Sequence, residues 1–151
     1  ADVGDPANAG ALLRSAEAFG AASVAFGDRG VDAYHPKVVR ASMGALFRLR
    51  VGRIDPAALD EAARNGFHVA GLSAGGEDVR RSAWPPRAAL VVGNERHGLG
   101  RWEQACRQFL GIPMAAATES LNAAIAGSIA LYEAARKRSE TALPDPCQDS
   151  V

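Results

Sequence analysis

The sequence predicts an α/β protein with a mainly parallel sheet covered by helices on both faces. Three observations predict it. Apolar runs of four to six residues alternate along the chain with longer segments of helical apolar spacing. The connections between them are mostly short, as expected of parallel strands joined by crossover helices. The composition pairs 48% hydrophobic residues with only 6% aromatics and many alanines, which suits helices cored by small aliphatics. A length of 151 residues fits one domain.

Ala1-Asp2-Val3 reads as the end of a strand whose beginning lies outside the sequence, so the chain reads as part of a longer protein. Asp5-Pro6-Ala7-Asn8 is turn and helix-start chemistry, and Ala9 to Phe19 follows as a helix with Leu12, Ala16 and Phe19 on its buried side. Gly20 ends it. Ala22 to Phe26 is a short strand, Pro36 opens a helix carrying Arg40 and Ser42, and Phe47 to Val51 is the next strand. Asp55-Pro56 is an N-cap with proline at the first helical position, and Asn65-Gly66 closes that helix before the strand Phe67 to Leu72. Ser73 to Arg87, rich in Gly, Pro and charge, reads as a surface loop. Ala88 to Val92 is a buried strand, GNERHGLG a polar loop, and Arg101 to Cys106 a short helix. The strand Phe109 to Ile112 stops at Pro113, which cannot donate to a ladder. From Leu121 the spacing is helical, with Leu121, Ile125, Ile129 and Tyr132 on the expected core side and Ser120 a good N-cap type. Residues 1–138 form the expected domain, and 139–151 a disordered tail.

Seventeen basic and seventeen acidic residues cancel, which argues against binding polyanions over the whole surface and confines any nucleic-acid contact to a local patch. No apolar run approaches the roughly 18 residues of a membrane span, and no basic-then-apolar leader is present, so the expected location is cytoplasmic. Cys106 and Cys147 have neither metal nor disulfide spacing and read as free thiols, and the three histidines share no ligand pattern. No metal is expected.

Sheets of this kind bind ligands at the carboxyl ends of their strands. Three polar loops fall there: Asp5 to Gly10, Gly93 to Gly98 and Pro113 to Asn122. Gly93 and Gly98 have the spacing of a phosphate-binding loop, but Leu99 stands where its lysine belongs, and no G-x-G-x-x-G occurs. The loop instead offers backbone amides with Glu95 beside them. In the first loop Gly10 lies one turn before Arg14, so its missing side chain leaves room for a ligand under the guanidinium. Glu17, three residues on, can pair with Arg14. An Arg fork suits phosphate.

Together these loops resemble the catalytic domain of the SpoU/TrmH family of SPOUT RNA methyltransferases, from about Asp5 to Arg138. The family's N-x-G-x-x-x-R appears as Asn8, Gly10 and Arg14, its G-N-E as Gly93-Asn94-Glu95, and its third motif as Ile112-Pro113-Met114, Ser120-Leu121-Asn122 and Leu131-Tyr132-Glu133. The resemblance implies an α/β knot, with a deep C-terminal trefoil threaded through a loop, small residues Ala115 to Ala117 easing the threading, and a homodimer with the site at the subunit interface. It implies S-adenosylmethionine held by Leu72, Ser73, Gly93, Asn94, Ile112, Met114 and Leu121, and methyl transfer to a ribose 2′-hydroxyl of RNA. Arg14, Asn8, Glu95, Ser120 and Asn122 would form the catalytic set, and Arg40, Arg136 and Arg138 would touch RNA. By the resemblance Arg14 takes or steers the hydroxyl proton; since a guanidinium stays protonated at ordinary pH, positioning phosphate and hydroxyl is the role expected of it, and general base the alternative. Two departures from the family pattern are Arg96, where many relatives carry Gly or a small residue, and the upstream substrate-recognition domain usual in members that modify ribosomal RNA, which is expected to lie outside this sequence. The expected substrate is 23S ribosomal RNA; the alternatives are transfer RNA, or a non-catalytic RNA-binding module of the same fold.

Overall fold

In a computed structural model that describes residues 1–115 and 120–142, helices and strands alternate as the sequence requires. In order they are α1 (Pro6–Ala18), β1 (Ser23–Gly27), α2 (Pro36–Ala41), β2 (Arg50–Ile54), α3 (Pro56–Arg64), β3 (His68–Asp78), β4 (Ala88–Val91), β5 (Gln108–Gly111) and α4 (Ala123–Ala142). Short 3-10 helices cover Ala45–Phe47, Val79–Arg81 and Gly100–Ala105. The Asp-Pro starts work as capping chemistry demands. Asp5 accepts from the Asn8 N–H and Asp55 from the Ala58 N–H, each at 2.8 Å, and the proline that follows lacks an N–H where none would be bonded. His35 caps α2 in the same way, its Nδ1 accepting from the Lys37 N–H at 3.2 Å.

All strand pairs are parallel, in two sheets ordered β1-β2 and β4-β3-β5. The segment before α1 joins them. The Ala1 carbonyl accepts from Gly27 N–H on the β1 side, while the Ala1 nitrogen donates to the Val92 carbonyl just past β4. Strand residues alternate faces, and the core divides accordingly. Val69 and Val91 pack with Leu59 of α3 and with Trp102; Ala70 and Leu90 pack with Ala130 of α4. Helices therefore cover both faces of the larger sheet. A third cluster seats α1 and α2 against Phe26 and Val24 of β1.

Four sequence expectations change. The segment after Leu72 is not simply loop: β3 kinks between Leu72 and Glu77, resumes its pairing with β5, and leads into a turn that buries Val79. Phe47 is 70% exposed and β2 begins at Arg50. The buried side of α4 is the small-residue seam Ala124, Gly127, Ala130 and Ala134, while Ile125 and Tyr132 are about half exposed. A Cβ on Gly127 would lie 2.4 Å from Leu12 of α1, so this close packing leaves room for small residues only. Lastly, α4 continues through Ser139 to Ala142, past the expected start of the tail; Ala116, Ala117, Cys147 and the rest of the tail lie outside the described residues.

Candidate active site

The loop after β4 sets the site. Asn94 and Gly98 exchange backbone hydrogen bonds of 2.7 and 2.9 Å, closing a tight turn with Gly98 in the left-handed region at φ 59°. A Cβ on Gly93 would lie 2.3 Å from the Gly98 carbonyl carbon, so glycine is needed where the loop crosses itself. Asn94 holds the turn through Oδ1, which accepts from the Arg96 and His97 N–H groups, while its Nδ2 donates to the Asp2 carbonyl. Glu95 is left aimed at α1.

From there a chain of side chains crosses the site. Asn8 Nδ2 donates to Glu95 Oε1 at 2.8 Å, and Asn122 Nδ2 donates to Asn8 Oδ1 at 2.9 Å. Asn122 Oδ1 then accepts from the Ala124 and Ile125 N–H groups at 2.9 and 3.2 Å. Asn122, not Ser120, is thus the N-cap of α4. Three loops that are 87 and 114 residues apart in sequence are tied by their polar side chains. Partial burial pushes the Glu95 carboxyl up, but the Asn8 amide and backbone N–H groups, including that of Gly4, outweigh it and hold the group below its ordinary value.

Beside this chain opens a cavity of about 450 Å³. All seven residues expected to hold the cofactor, Leu72, Ser73, Gly93, Asn94, Ile112, Met114 and Leu121, line it, with Glu95, Ser120 and Asn122 of the catalytic set. Sequence reasoning missed Glu103, Leu99 and Leu110 on its wall. Glu103 sits on the 3-10 helix Gly100–Ala105 with no motif around it, and only the fold brings it there. Among the described residues the lining includes two carboxylates and no Lys or Arg. Apolar walls suit an adenine ring, and two acids with no cation suit a ligand of net positive charge and repel polyphosphates. S-adenosylmethionine, with its sulfonium and ammonium groups, fits that set.

Arg14 is placed elsewhere. It lines a second cavity with Ser42, Met43, Glu17 and Arg48, sharing no residue with the first, and no described residue pairs with it. Glu17, expected to orient it, is instead held by Arg48, whose Nη2 donates at 2.9 Å. The expected ligand space over Gly10 is also filled: a Cβ there would meet the Ala41 side chain at 2.4 Å and the Ser42 nitrogen at 2.9 Å, so this glycine lets α2 pack on α1. Of the expected RNA contacts, Arg40 is exposed on α2; Arg136 pairs with Glu133 and Glu140 within its own helix; and Arg138 donates to the Phe19 carbonyl at 2.6 Å.

A family model described as the SpoU rRNA methylase family matches residues 1–132. A 23S rRNA (uridine(2479)-2′-O)-methyltransferase of Streptomyces viridochromogenes is 37% identical over 142 residues, covering 88% of this chain and 50% of that protein. The structure of the SpoU methyltransferase AviRb from the same organism, in complex with AdoMet, superimposes with a TM-score of 0.84 at 35% identity, over 92% of this chain and 58% of AviRb. A structure described in connection with 2-OH methylation of C/U34 on tRNA gives a TM-score of 0.79 at 31% identity, over 92% and 93% of the two chains. The chain spans 26% to 57% of the length of the curated relatives it matches. Motifs, fold and family match agree: this chain belongs to the SpoU rRNA methylase (TrmH) family of RNA 2′-O-methyltransferases.

Proposed function

We propose that this chain is the catalytic domain of an enzyme that moves a methyl group from S-adenosylmethionine to a ribose 2′-hydroxyl of ribosomal RNA. The observation that carries the proposal is the hydrogen-bonded chain Glu95–Asn8–Asn122 at the edge of a cavity lined by every residue expected to hold the cofactor. When bound, the cofactor supplies an activated methyl group on a sulfonium, so the protein needs to align the acceptor and see to its proton. Asn8 and Asn122 lock the two loops that flank the cavity. Ser120, exposed at the cavity, would hydrogen-bond the ribose. Arg14 carries a positive charge that no carboxylate among the described residues neutralises, which suits holding an RNA phosphate and steering the hydroxyl.

Two features of the resemblance are part of the proposal. The knot rests on the resemblance to the family; where β5 runs along the kink of β3, the paired backbones lie so close that a Cβ on Gly76 would sit 2.5 Å from the Leu110 carbonyl carbon, which leaves room for glycine only. The homodimer is supported by the separation of Arg14 from the cofactor cavity within one chain, and by the exposed apolar face of Ile125 and Tyr132 on α4. A second copy packed there would bring one chain's arginine toward the other's cavity. The ribosomal substrate follows the Streptomyces relative; transfer RNA is the alternative, favoured by the tRNA-modifying structure that the chain nearly spans.

Incubating the full-length protein with labelled S-adenosylmethionine and separated ribosomal and transfer RNA, then mapping the labelled nucleotide, tests the proposal. A 2′-O-methyl in ribosomal RNA is expected. Label in transfer RNA alone moves the substrate; cofactor binding with no transfer to either pool leaves the non-catalytic module.

A further inference from the structure

Between Ala33 and Ile54 the sequence carries Lys37, Arg40, Arg48, Arg50 and Arg53 and no Asp or Glu, in a chain whose overall charge is zero. This is the crossover from β1 through α2 to β2. Carboxylates from outside it reach two of the five cations: Glu17 takes Arg48, and Asp32 lies 3.9 Å from Arg53, which also donates to the Gly27 and Asp28 carbonyls. Lys37, Arg40 and Arg50 are exposed with no partner among the described residues.

The same crossover exposes three large apolar side chains: Tyr34 at 64%, Met43 at 72% and Phe47 at 70%. Met43 and Gly44 follow one another in the left-handed region, at φ 50° and 86°, and Met43 is the one such residue besides glycine among those described. A left-handed methionine held out in solvent gains nothing for the core. Met43 also lines the cavity that holds Arg14, with Ser42 and Arg48, so the crossover reaches that cavity.

We propose that this crossover is a docking surface for single-stranded RNA, with Phe47 and Met43 offering faces to unpaired bases and Lys37, Arg40 and Arg50 holding phosphates, so that the strand is led toward Arg14. Base stacking on exposed aromatics flanked by unpaired cations is the usual physics of single-strand binding. The surface does not suit a second copy of this chain, because a two-fold contact would set the same cations against themselves. The inference rests on the proposed RNA methyltransferase reading and specifies which part of the domain grips the substrate.

The test uses the full-length protein and a short single-stranded RNA spanning the mapped nucleotide, with binding followed by fluorescence anisotropy across a salt series. Phe47→Ala should weaken binding about ten-fold and raise KM for RNA with kcat nearly unchanged, and Phe47→Tyr should restore both. Replacing Lys37, Arg40 and Arg50 together with alanine should weaken binding and flatten the plot of log affinity against log salt by about 2. Cofactor affinity, measured by calorimetry, should be the same in every variant. Unchanged RNA affinity and salt slope in variants of an active enzyme would overturn the surface and leave the methyltransferase reading standing. A change in oligomeric state without a change in RNA affinity would reassign the patch to a protein contact. Absence of RNA binding in the unmodified protein would overturn both.

Discussion

Two cavities of this molecule differ in sign and in how their side chains are held. One is lined by Glu95 and Glu103 with no cation among its described residues, and its Glu95 and Asn122 side chains are fixed through Asn8 before any ligand arrives. The other holds Arg14, which pairs with no described residue, beside an Arg48 already committed to Glu17. A preorganised acidic pocket suits a small cationic cofactor bound the same way at every turnover. An uncommitted arginine suits a polyanionic substrate that arrives carrying its own counter-charge. The comparison predicts that damage to the two cavities will appear in different measurements.

Arg14→Ala is expected to have the largest effect and to separate the cavities most cleanly. Methyl transfer should fall about 10²-fold or more, while calorimetry shows nearly normal cofactor affinity. If cofactor binding were lost as well, the two cavities would not be independent and the role given to Arg14 would fail.

Gly10→Ala tests the packing that carries Arg14. The new methyl meets backbone at Ala41 as well as its side chain, so α1 and α2 must separate, at a cost of about 1–3 kcal/mol in urea unfolding. Turnover should drop with stability, and cofactor affinity should hold. Asn122→Ala acts on the other cavity. It removes the cap of α4 and the donor to Asn8, lowering stability by about 0.5–2 kcal/mol and weakening cofactor binding, because the loop bearing Leu121 loses its tie to α1.

These variants also mark where sequence reasoning succeeded. The Asp-Pro helix starts and the three motif loops were legible because capping and close backbone passage demand particular residue types at particular positions, whatever the rest of the fold does. Pairing was not legible in the same way. Arg14 and Glu17 have the spacing of a helical ion pair, but Arg48, 31 residues from Glu17 in sequence, competes for the carboxylate and takes it. The face of α4 was misread for a related reason. Apolar spacing marks Ile125 and Tyr132 as core, yet the approach of α1 is so close that only the alanine and glycine side fits against it. Likewise Gly10 looked like space for a ligand, when a neighbouring helix occupies it. Each miss is a contact between segments distant in sequence overruling a local pattern.

The smallest effect expected is the pH response of Glu95→Gln, and it sharpens the account of the acidic cavity. Glu95 is depressed below its ordinary value of 4.5 in the folded protein, because the hydrogen bonds from Asn8 and the backbone outweigh its partial burial. A carboxyl depressed on folding adds stability above its unfolded pKa, and loses it as the pH falls through the folded one. The unmodified protein should therefore be the more stable at neutral pH, and the gap to Glu95→Gln should narrow in acid, below about pH 4.5. The amide keeps one oxygen acceptor but turns an NH₂ toward donors, so either Asn8 or the Gly4 N–H loses its partner. Thermal unfolding of both proteins across that range measures the gap. A gap that stays constant into acid would mean that Asn8 and Asn122 hold the site without the charge, and that Glu95 matters only for the field felt by a cationic ligand.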